Sequence, residues 1–175
     1  MLKAVKNKLF GRFIRSKLYT DTQGRKTIHW NNIKTIAFLV DGTNPIALRL
    51  LLNRLYDYEK QGKKVSFLGY VRKSPPFPDE QIKWITKKDM NWIGIPKLSH
   101  IKWFIERDFD VLVNTSLSSI RPLEFVSTYS KSKLRIGMYD ERKTYCYDFM
   151  MRLLPGETVD SYLDQVEHYL KMLKS

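Results

Sequence analysis

Polar side chains stand at the ends of three short apolar runs, the positions where an α/β protein keeps its chemistry. Asp41 follows the run at 35–40, Asn114 follows the run at 109–113, and Asp140 comes two residues after the run at 134–138. A carboxylate pair formed by Asp41 and Asp140 would suit acid–base chemistry or bind Mg²⁺. Sequence spacing does not show that the two meet, and aspartate is also common in turns.

A second polar group, residues 114–119, precedes a predicted helix that opens at Pro122. The free N–H groups and the dipole of a helix N-terminus favour an anion. The alternative is that these residues cap the helix and close the turn. The candidate small-molecule site therefore consists of Asp41, Asn114, Ser116 and Asp140.

Familiar catalytic and cofactor signatures are missing from the sequence. It contains no G-x-G-x-x-G, no P-loop and no G-x-S-x-G elbow. His29, His100 and His168 are scattered, and Cys146 has no second cysteine, so zinc spacing is not met. We expect no catalytic residues, no cofactor and no metal site.

Regularly alternating elements must position these side chains. The apolar run at 35–40 is typical of a strand buried on both faces. Asn44 and Pro45 predict the start of a helix that runs to about Lys60, with Gly62 as its stop. A second strand at 65–71 completes a β-α-β unit with parallel strands.

The alternation continues to the end of the chain. It predicts strands at 82–86, 109–113 and 134–138, and either an edge strand or a helical turn within 145–151. It also predicts helices capped by Ser99, opening at Pro122 and capped by Thr158. We predict an α/β fold: a three-layer sandwich with a mainly parallel, Rossmann-like sheet over residues 31–175. We predict that residues 1–30 form a basic, amphipathic, helical N-terminal arm.

Composition limits the class of protein. The 175 residues include 31 Lys and Arg against 18 Asp and Glu, a net charge of +13, and 43% are hydrophobic. This content supports a packed core and excludes global disorder. A single cysteine fits a reducing compartment, so we expect a cytoplasmic protein. No apolar run reaches the roughly 20 residues that a membrane-spanning helix needs.

The basic charge is concentrated near the N-terminus. Residues 1–34 hold nine basic side chains and one acidic one, more than half of the excess. Leu2, Val5, Leu9 and Phe13 recur at helical spacing and form one apolar stripe, and Phe10 begins a second apolar face that continues through Ile14 and Leu18.

Three interpretations of this arm remain open. It docks its apolar stripe on the domain, it binds RNA phosphates, or it lies on an anionic membrane surface. The first can coexist with either of the others. The predicted RNA contacts are Lys3, Lys6, Lys8, Arg12, Arg15, Lys17, Arg25 and Lys26.

Paired basic residues elsewhere lie close to aromatic ones. Examples are Lys63 with Lys64 and Arg142 with Lys143, and Trp84 and Trp92 stand near other such pairs. Aromatic and basic side chains together bind single-stranded RNA. Core aromatic residues give the same pattern, and we expect both tryptophans to be partly buried.

Two family resemblances follow from these motifs. The stretch D-F-D-V-L-V-N-T-S, then P-L-E-F-V-S and K-S-K-L-R-I-G-M-Y-D, resembles half of the N-terminal Rossmann-like domain of heptosyltransferase-type glycosyltransferases. That resemblance implies a sugar-nucleotide ligand. Complete enzymes of that type have two such domains, and this chain has room for one.

Over its whole length the chain resembles a family of small uncharacterised bacterial proteins that carry a domain of unknown function. The shared features are Asp41, residues 89–96 and the pattern from Val113 to Tyr139. This resemblance implies the fold and no activity.

The sequence therefore favours a non-enzymatic, basic binding module that contacts RNA, with ribosomal RNA as one candidate, through its N-terminal arm. The alternatives are a binder of a sugar nucleotide or another small molecule, and a peripheral membrane adaptor.

Overall fold

The central strand, β1 (Thr35–Asp41), is buried on both faces, as its continuous apolar run predicts. The computed structural model of the protein describes residues 2–17, 28–75 and 81–173. In it, β1 pairs in parallel with β2 (Lys64–Tyr70) on one side and with β4 (Val111–Asn114) on the other.

The remaining strands extend the sheet outward from these three. β3 (Ile82–Ile85) pairs with β2, β5 (Leu134–Met138) pairs with β4, and β6 (Phe149–Met151) pairs with β5. The six strands are parallel and have the order β3-β2-β1-β4-β5-β6. This confirms a Rossmann-like sheet whose order reverses beside β1.

Helices cover both faces, which confirms the three-layer sandwich. One face packs against α2 (Pro45–Lys60) and α5 (Val159–Met172). The other packs against α1 (Leu2–Lys17), α3 (Leu98–Ile105) and α4 (Arg121–Tyr129). Short 3-10 helices occupy Trp30–Asn32, Lys87–Asp89 and Glu141–Lys143.

The bounds of α2 follow from local chemistry and agree with the prediction. The Asn44 side chain accepts a hydrogen bond from the N–H of Ala47 (3.1 Å), and Pro45 occupies the first helical position. Gly62 follows the helix with φ of +75°, a backbone conformation that favours glycine.

Long-range ion pairs join α2 to α5. Nη1 of Arg54 lies 3.3 Å from Asp160, and Nη2 contacts Asp164 and lies 3.4 Å from Glu167. Thr158 caps α5 as predicted, accepting a hydrogen bond from the N–H of Ser161.

The prediction that Ser99 caps α3 is wrong, because the helix begins two residues earlier than that cap implies, at Leu98. Its N-cap is Lys97, which lacks a side-chain capping bond. An isolated β-bridge joins Met90 to Pro96, and the N–H of Lys97 donates to the carbonyl of Asp89 (2.7 Å). These contacts fix the chain in an extended conformation up to Lys97, so the helix starts immediately after it.

Candidate functional site

The N-terminal helix α1 packs on the domain through Phe10 and Ile14, both buried. Their cluster includes residues of α3, α4 and β1. The guanidinium of Arg121 lies over the Phe10 ring at 5.9 Å from its centroid. The docked face is therefore the second apolar face and not the stripe that begins at Leu2.

The stripe is left at the surface. Val5, Leu9 and Phe13 are 48%, 38% and 41% exposed, although the Phe13 ring still stacks on that of Phe125. We call these three residues the apolar row. Folding buries one apolar face of α1 and leaves the other in contact with water.

A basic row runs beside the apolar row. Lys8 and Arg12 are exposed, three residues after Val5 and Leu9 respectively, and residues at this spacing are neighbours on a helix surface. Lys6 is half-buried. Among the described residues, none of these three cations forms an ion pair, so nothing in that part of the protein neutralises them.

The other predicted RNA contacts lie partly in α1 and partly outside the described residues. Lys3, Arg15 and Lys17 belong to α1, but the structure describes their backbone alone. Arg25 and Lys26 lie outside the described residues.

Asp41, the first candidate at the sheet edge, is tied into its own turn. Its Oδ1 accepts hydrogen bonds from the N–H and the hydroxyl of Thr43 (2.9 and 2.6 Å). Oδ2 makes no hydrogen bond within the described residues.

Asn114 and Ser116 are buried and bonded internally. Asn114 donates from Nδ2 to the hydroxyl of Tyr147 (2.7 Å) and accepts from the N–H of Ser116 (3.0 Å). The Ser116 hydroxyl donates to the carbonyl of Ser118 (2.8 Å). These two residues meet each other, but they face the protein interior.

Asp140 pairs with a neighbour in sequence and not with Asp41. It accepts hydrogen bonds from the N–H and Nε of Arg142, both at 3.0 Å, and these lower the pKa of Asp140 to about 2. Strand β4 separates the strands that precede the two aspartates, a spacing of about 10 Å. The structure therefore does not bring them together as a carboxylate pair.

A buried ion pair that the sequence analysis missed lies at the same edge. Glu124, in the first turn of α4, binds Lys143 (2.7 Å) and the hydroxyl of Ser119 (2.6 Å). A carboxylate here complements the positive end of the helix dipole. A glutamate in the first turn of a predicted helix indicates an ion pair only weakly. Its partner lies 19 residues later, and the sequence does not indicate that the two meet.

A cavity of about 280 Å³ lies between the loops that follow β1 and β4. Asp41, Thr43 and Asn44 line it from one loop, and Thr115 and Ser118 from the other. This is the place where the strand order reverses, which is where open α/β sheets bind ligands.

The aromatic and basic pairs are divided between structural and exposed roles. Lys63 is buried and donates to the carbonyls of Trp30 and Ile33, both at 3.0 Å, so it is a structural residue. Trp84 is half-buried as expected, but Trp92 is 65% exposed, so that prediction was wrong.

None of the helices in ranges 2–17, 28–75 and 81–173 has the length and apolar character needed to cross a membrane. Comparison with protein families gives a match over residues 6–173, to a family of unknown function, DUF6913. The chain belongs to the DUF6913 family. No curated protein matches it.

Membership in DUF6913 confirms the whole-chain resemblance to a family of unknown function, and it carries no activity. The resemblance to heptosyltransferase-type enzymes stays a prediction. The features of this DUF6913 protein on which a function can be argued are the docked helix with its two exposed rows and the cavity at the sheet edge.

Proposed function

We propose that this DUF6913 protein is a binding module that attaches through α1 to an anionic membrane surface. The observation that carries the proposal is the apolar row beside the basic row on a docked helix. Basic amphipathic helices lie in the membrane interface with apolar side chains among the lipids and cations at the headgroups. In this arrangement the apolar row contacts lipid and the basic row contacts the anionic headgroups.

The docking of α1 makes such binding compatible with a folded domain. Phe10 and Ile14 hold the helix on the core, while Val5, Leu9 and the outer part of the Phe13 ring stay exposed. Each of these three would gain about 1 kcal/mol from burying its exposed part, scaled from full side-chain burial. Each cation near an anionic surface adds about 1 kcal/mol. Together these contributions predict weak, reversible attachment.

The expected location fits the same proposal. The cytoplasmic leaflet carries a negative surface potential, which attracts basic segments. A cytoplasmic DUF6913 protein with this helix would meet that surface directly.

Vesicle sedimentation tests the proposal with two double variants. Lys8→Gln/Arg12→Gln removes the basic row, and Val5→Gln/Leu9→Gln removes most of the apolar row while keeping a good helix former. We expect wild-type protein to bind vesicles containing 30% anionic lipid and not neutral ones. Each double variant should bind at least tenfold more weakly.

Matched controls separate these effects from general loss of charge or apolar surface. Lys87→Gln/Lys88→Gln removes two exposed cations elsewhere. Ile46→Gln/Leu50→Gln removes an exposed apolar pair with the same spacing on α2. Both controls should bind within twofold of wild type. Equal binding to neutral vesicles, or full binding by Val5→Gln/Leu9→Gln, would contradict the proposal.

RNA is the second candidate partner, because phosphate contacts require only the cations. Lys6, Lys8 and Arg12 have no carboxylate partner among the described residues, which supports this alternative. Filter binding to ribosomal RNA at several salt concentrations separates it from membrane attachment. RNA binding would weaken with salt and in Lys8→Gln/Arg12→Gln, but it would survive Val5→Gln/Leu9→Gln. Affinity that does not change with salt would exclude it.

A further inference from the structure

The cavity at the sheet edge is placed by the topology and not by α1. The chain leaves β1 toward α2 on one face and leaves β4 toward α4 on the other, so the two loops diverge. Backbone bonds hold both loops in place: Gly42 donates to the carbonyl of Tyr70 (2.9 Å), and Thr115 to that of Leu39 (3.0 Å). The space of about 280 Å³ between them is therefore a fixed part of the fold.

The electrostatic character of the cavity excludes a strongly anionic ligand. Among the described residues that line the cavity, Asp41 is the one charged residue, and none is a lysine or an arginine. Oδ2 of Asp41 remains an open hydrogen-bond acceptor within the described residues. The hydroxyl of Ser118 makes no hydrogen bond there either.

The start of α2 does not supply a phosphate cradle, although it borders the cavity. Pro45 has no N–H, and the N–H groups of Ala47 and Leu48 donate to the side chain and carbonyl of Asn44 (3.1 and 3.0 Å). The N–H groups of Asn44 and Ile46 make no hydrogen bond among the described residues. The carboxylate of Asp41 lines the same cavity and repels a phosphate, which offsets the attraction of these two donors.

The remaining lining is apolar. Leu48 and Leu51 contribute from α2, Val159 from the start of α5, and Leu117 from the loop after β4. A volume of about 280 Å³ lies just below the roughly 300–1,000 Å³ of sites for drug-sized ligands. The cavity therefore suits one ring, polar along one edge and apolar on its C–H face.

We propose that this cavity binds an uncharged sugar ring, either free or as the ribose of a nucleoside. Asp41 accepts hydrogen bonds from ring hydroxyls, and the hydroxyls of Thr43 and Ser118 complete the polar side. Leu48, Leu51 and Val159 pack against the C–H face of the ring. This site is independent of α1 and goes beyond the function proposed above.

An NMR titration of ¹⁵N-labelled full-length protein with D-ribose, uridine and uridine monophosphate tests the proposal. We expect the amide signals of Gly42 and Ser118 to shift with ribose or uridine at millimolar concentrations. Shifts with ribose identify a free sugar, whereas shifts with uridine alone identify a nucleoside. Uridine monophosphate should bind at least fivefold more weakly than uridine, since its phosphate approaches Asp41.

Variants locate the binding in the cavity. Ala47→Leu adds bulk to the lining without changing the N–H that Asn44 caps, and it should reduce binding at least tenfold. Asp41→Asn keeps Oδ1 as an acceptor for Thr43 and should remove the discrimination against the phosphate. Asp140→Asn, the same substitution outside the cavity, should bind as wild type does.

Three results would overturn the proposal. They are no shift with any probe at 10 mM, tighter binding of the monophosphate than of uridine by wild-type protein, and unchanged binding by Ala47→Leu. The Asp41→Asn measurement stands on its own if Ala47→Leu does not fold.

Discussion

Nζ of Lys143 lies 2.7 Å from Oε1 of Glu124, and both side chains are largely shielded from water, at 16% and 5% exposed. This ion pair connects the 3-10 helix after β5 to the first turn of α4. It thereby joins the loops that follow two neighbouring strands.

Lys143→Met should lower the free energy of unfolding by about 3 kcal/mol, because it leaves the buried carboxylate of Glu124 without its counter-ion. Urea denaturation measures the change. Lys102→Met is the control, since its ammonium lies 3.8 Å from Glu106 in a pair with 66% and 52% exposed side chains. That change should stay within about 0.5 kcal/mol. Equal losses in both variants would argue against a special role for the buried pair.

Acid should destabilise the protein partly through Asp140. Hydrogen bonds from Arg142 hold the pKa of Asp140 at about 2, below its ordinary value of 3.8. A depressed carboxyl pKa adds stability that is complete above the ordinary value and is lost as the pH falls toward 2. Urea midpoints between pH 5 and pH 2 should therefore fall less steeply in Asp140→Asn than in wild type.

The matched control for this pH series is Asp57→Asn, at an exposed carboxylate on α2 that forms no ion pair within the described residues. Its curve should parallel that of wild type. If Asp140→Asn and wild type lose stability identically, the hydrogen bonds from Arg142 do not contribute in the folded state.

Gly137→Ala should destabilise the protein by about 1–3 kcal/mol through overpacking. A Cβ added at Gly137 would lie 2.5 Å from the ring of Tyr147, whose hydroxyl is bonded to Asn114. Gly11→Ala on α1 is the counterpart, because its added Cβ meets nothing within 4 Å. That change should stabilise α1 by about 0.5–1 kcal/mol. Urea denaturation measures the stability of both variants, and hydrogen exchange of the α1 amides measures the local effect of Gly11→Ala. Destabilisation by Gly11→Ala would contradict the described packing.

Cys146 should be chemically inert in the folded protein. Burial raises the pKa of its thiol to about 12, so almost no thiolate forms at pH 8. Ellman's reagent should label it slowly in native buffer and completely within minutes in 6 M guanidinium chloride. Rapid labelling of the native protein would mean that the segment around Cys146 opens readily.

Elements with strong local signals were predictable from sequence. The helix α2 has a capping asparagine, a proline at its first position and a glycine just beyond its end, and all three act within a few residues. The strand β1 is buried on both faces, which a continuous apolar run indicates directly.

The docked face of α1 was not predictable, because periodicity reveals apolar rows without showing which one meets the core. Both Phe10 and Leu9 fit helical spacing, yet tertiary contacts bury the first and leave the second 38% exposed. The prediction for the start of α3 was wrong because of a tertiary contact as well. The bridge between Met90 and Pro96 outweighs the capping preference of Ser99.

The candidate site was predictable in position and not in detail. Asp41 does line the cavity at the reversal of strand order, as its place after β1 indicates. Asn114 has the same position at a strand end, but its side-chain amide donates a hydrogen bond to Tyr147, 33 residues later. Lys63 looked like a surface cation, but it bonds to carbonyls about 30 residues earlier. Partners this distant leave no local signal.

The surface on which α1 rests is assembled from segments as late in the chain as Val126. At translation rates of roughly 5–20 residues per second, some 110 residues separate the helix from the last of that surface, a delay on the order of 5–20 s. Until Val126 has been made, part of the surface that covers Phe10 and Ile14 in the folded protein is absent. A partner that meets the growing polypeptide therefore encounters more exposed apolar surface on α1 than the folded protein presents.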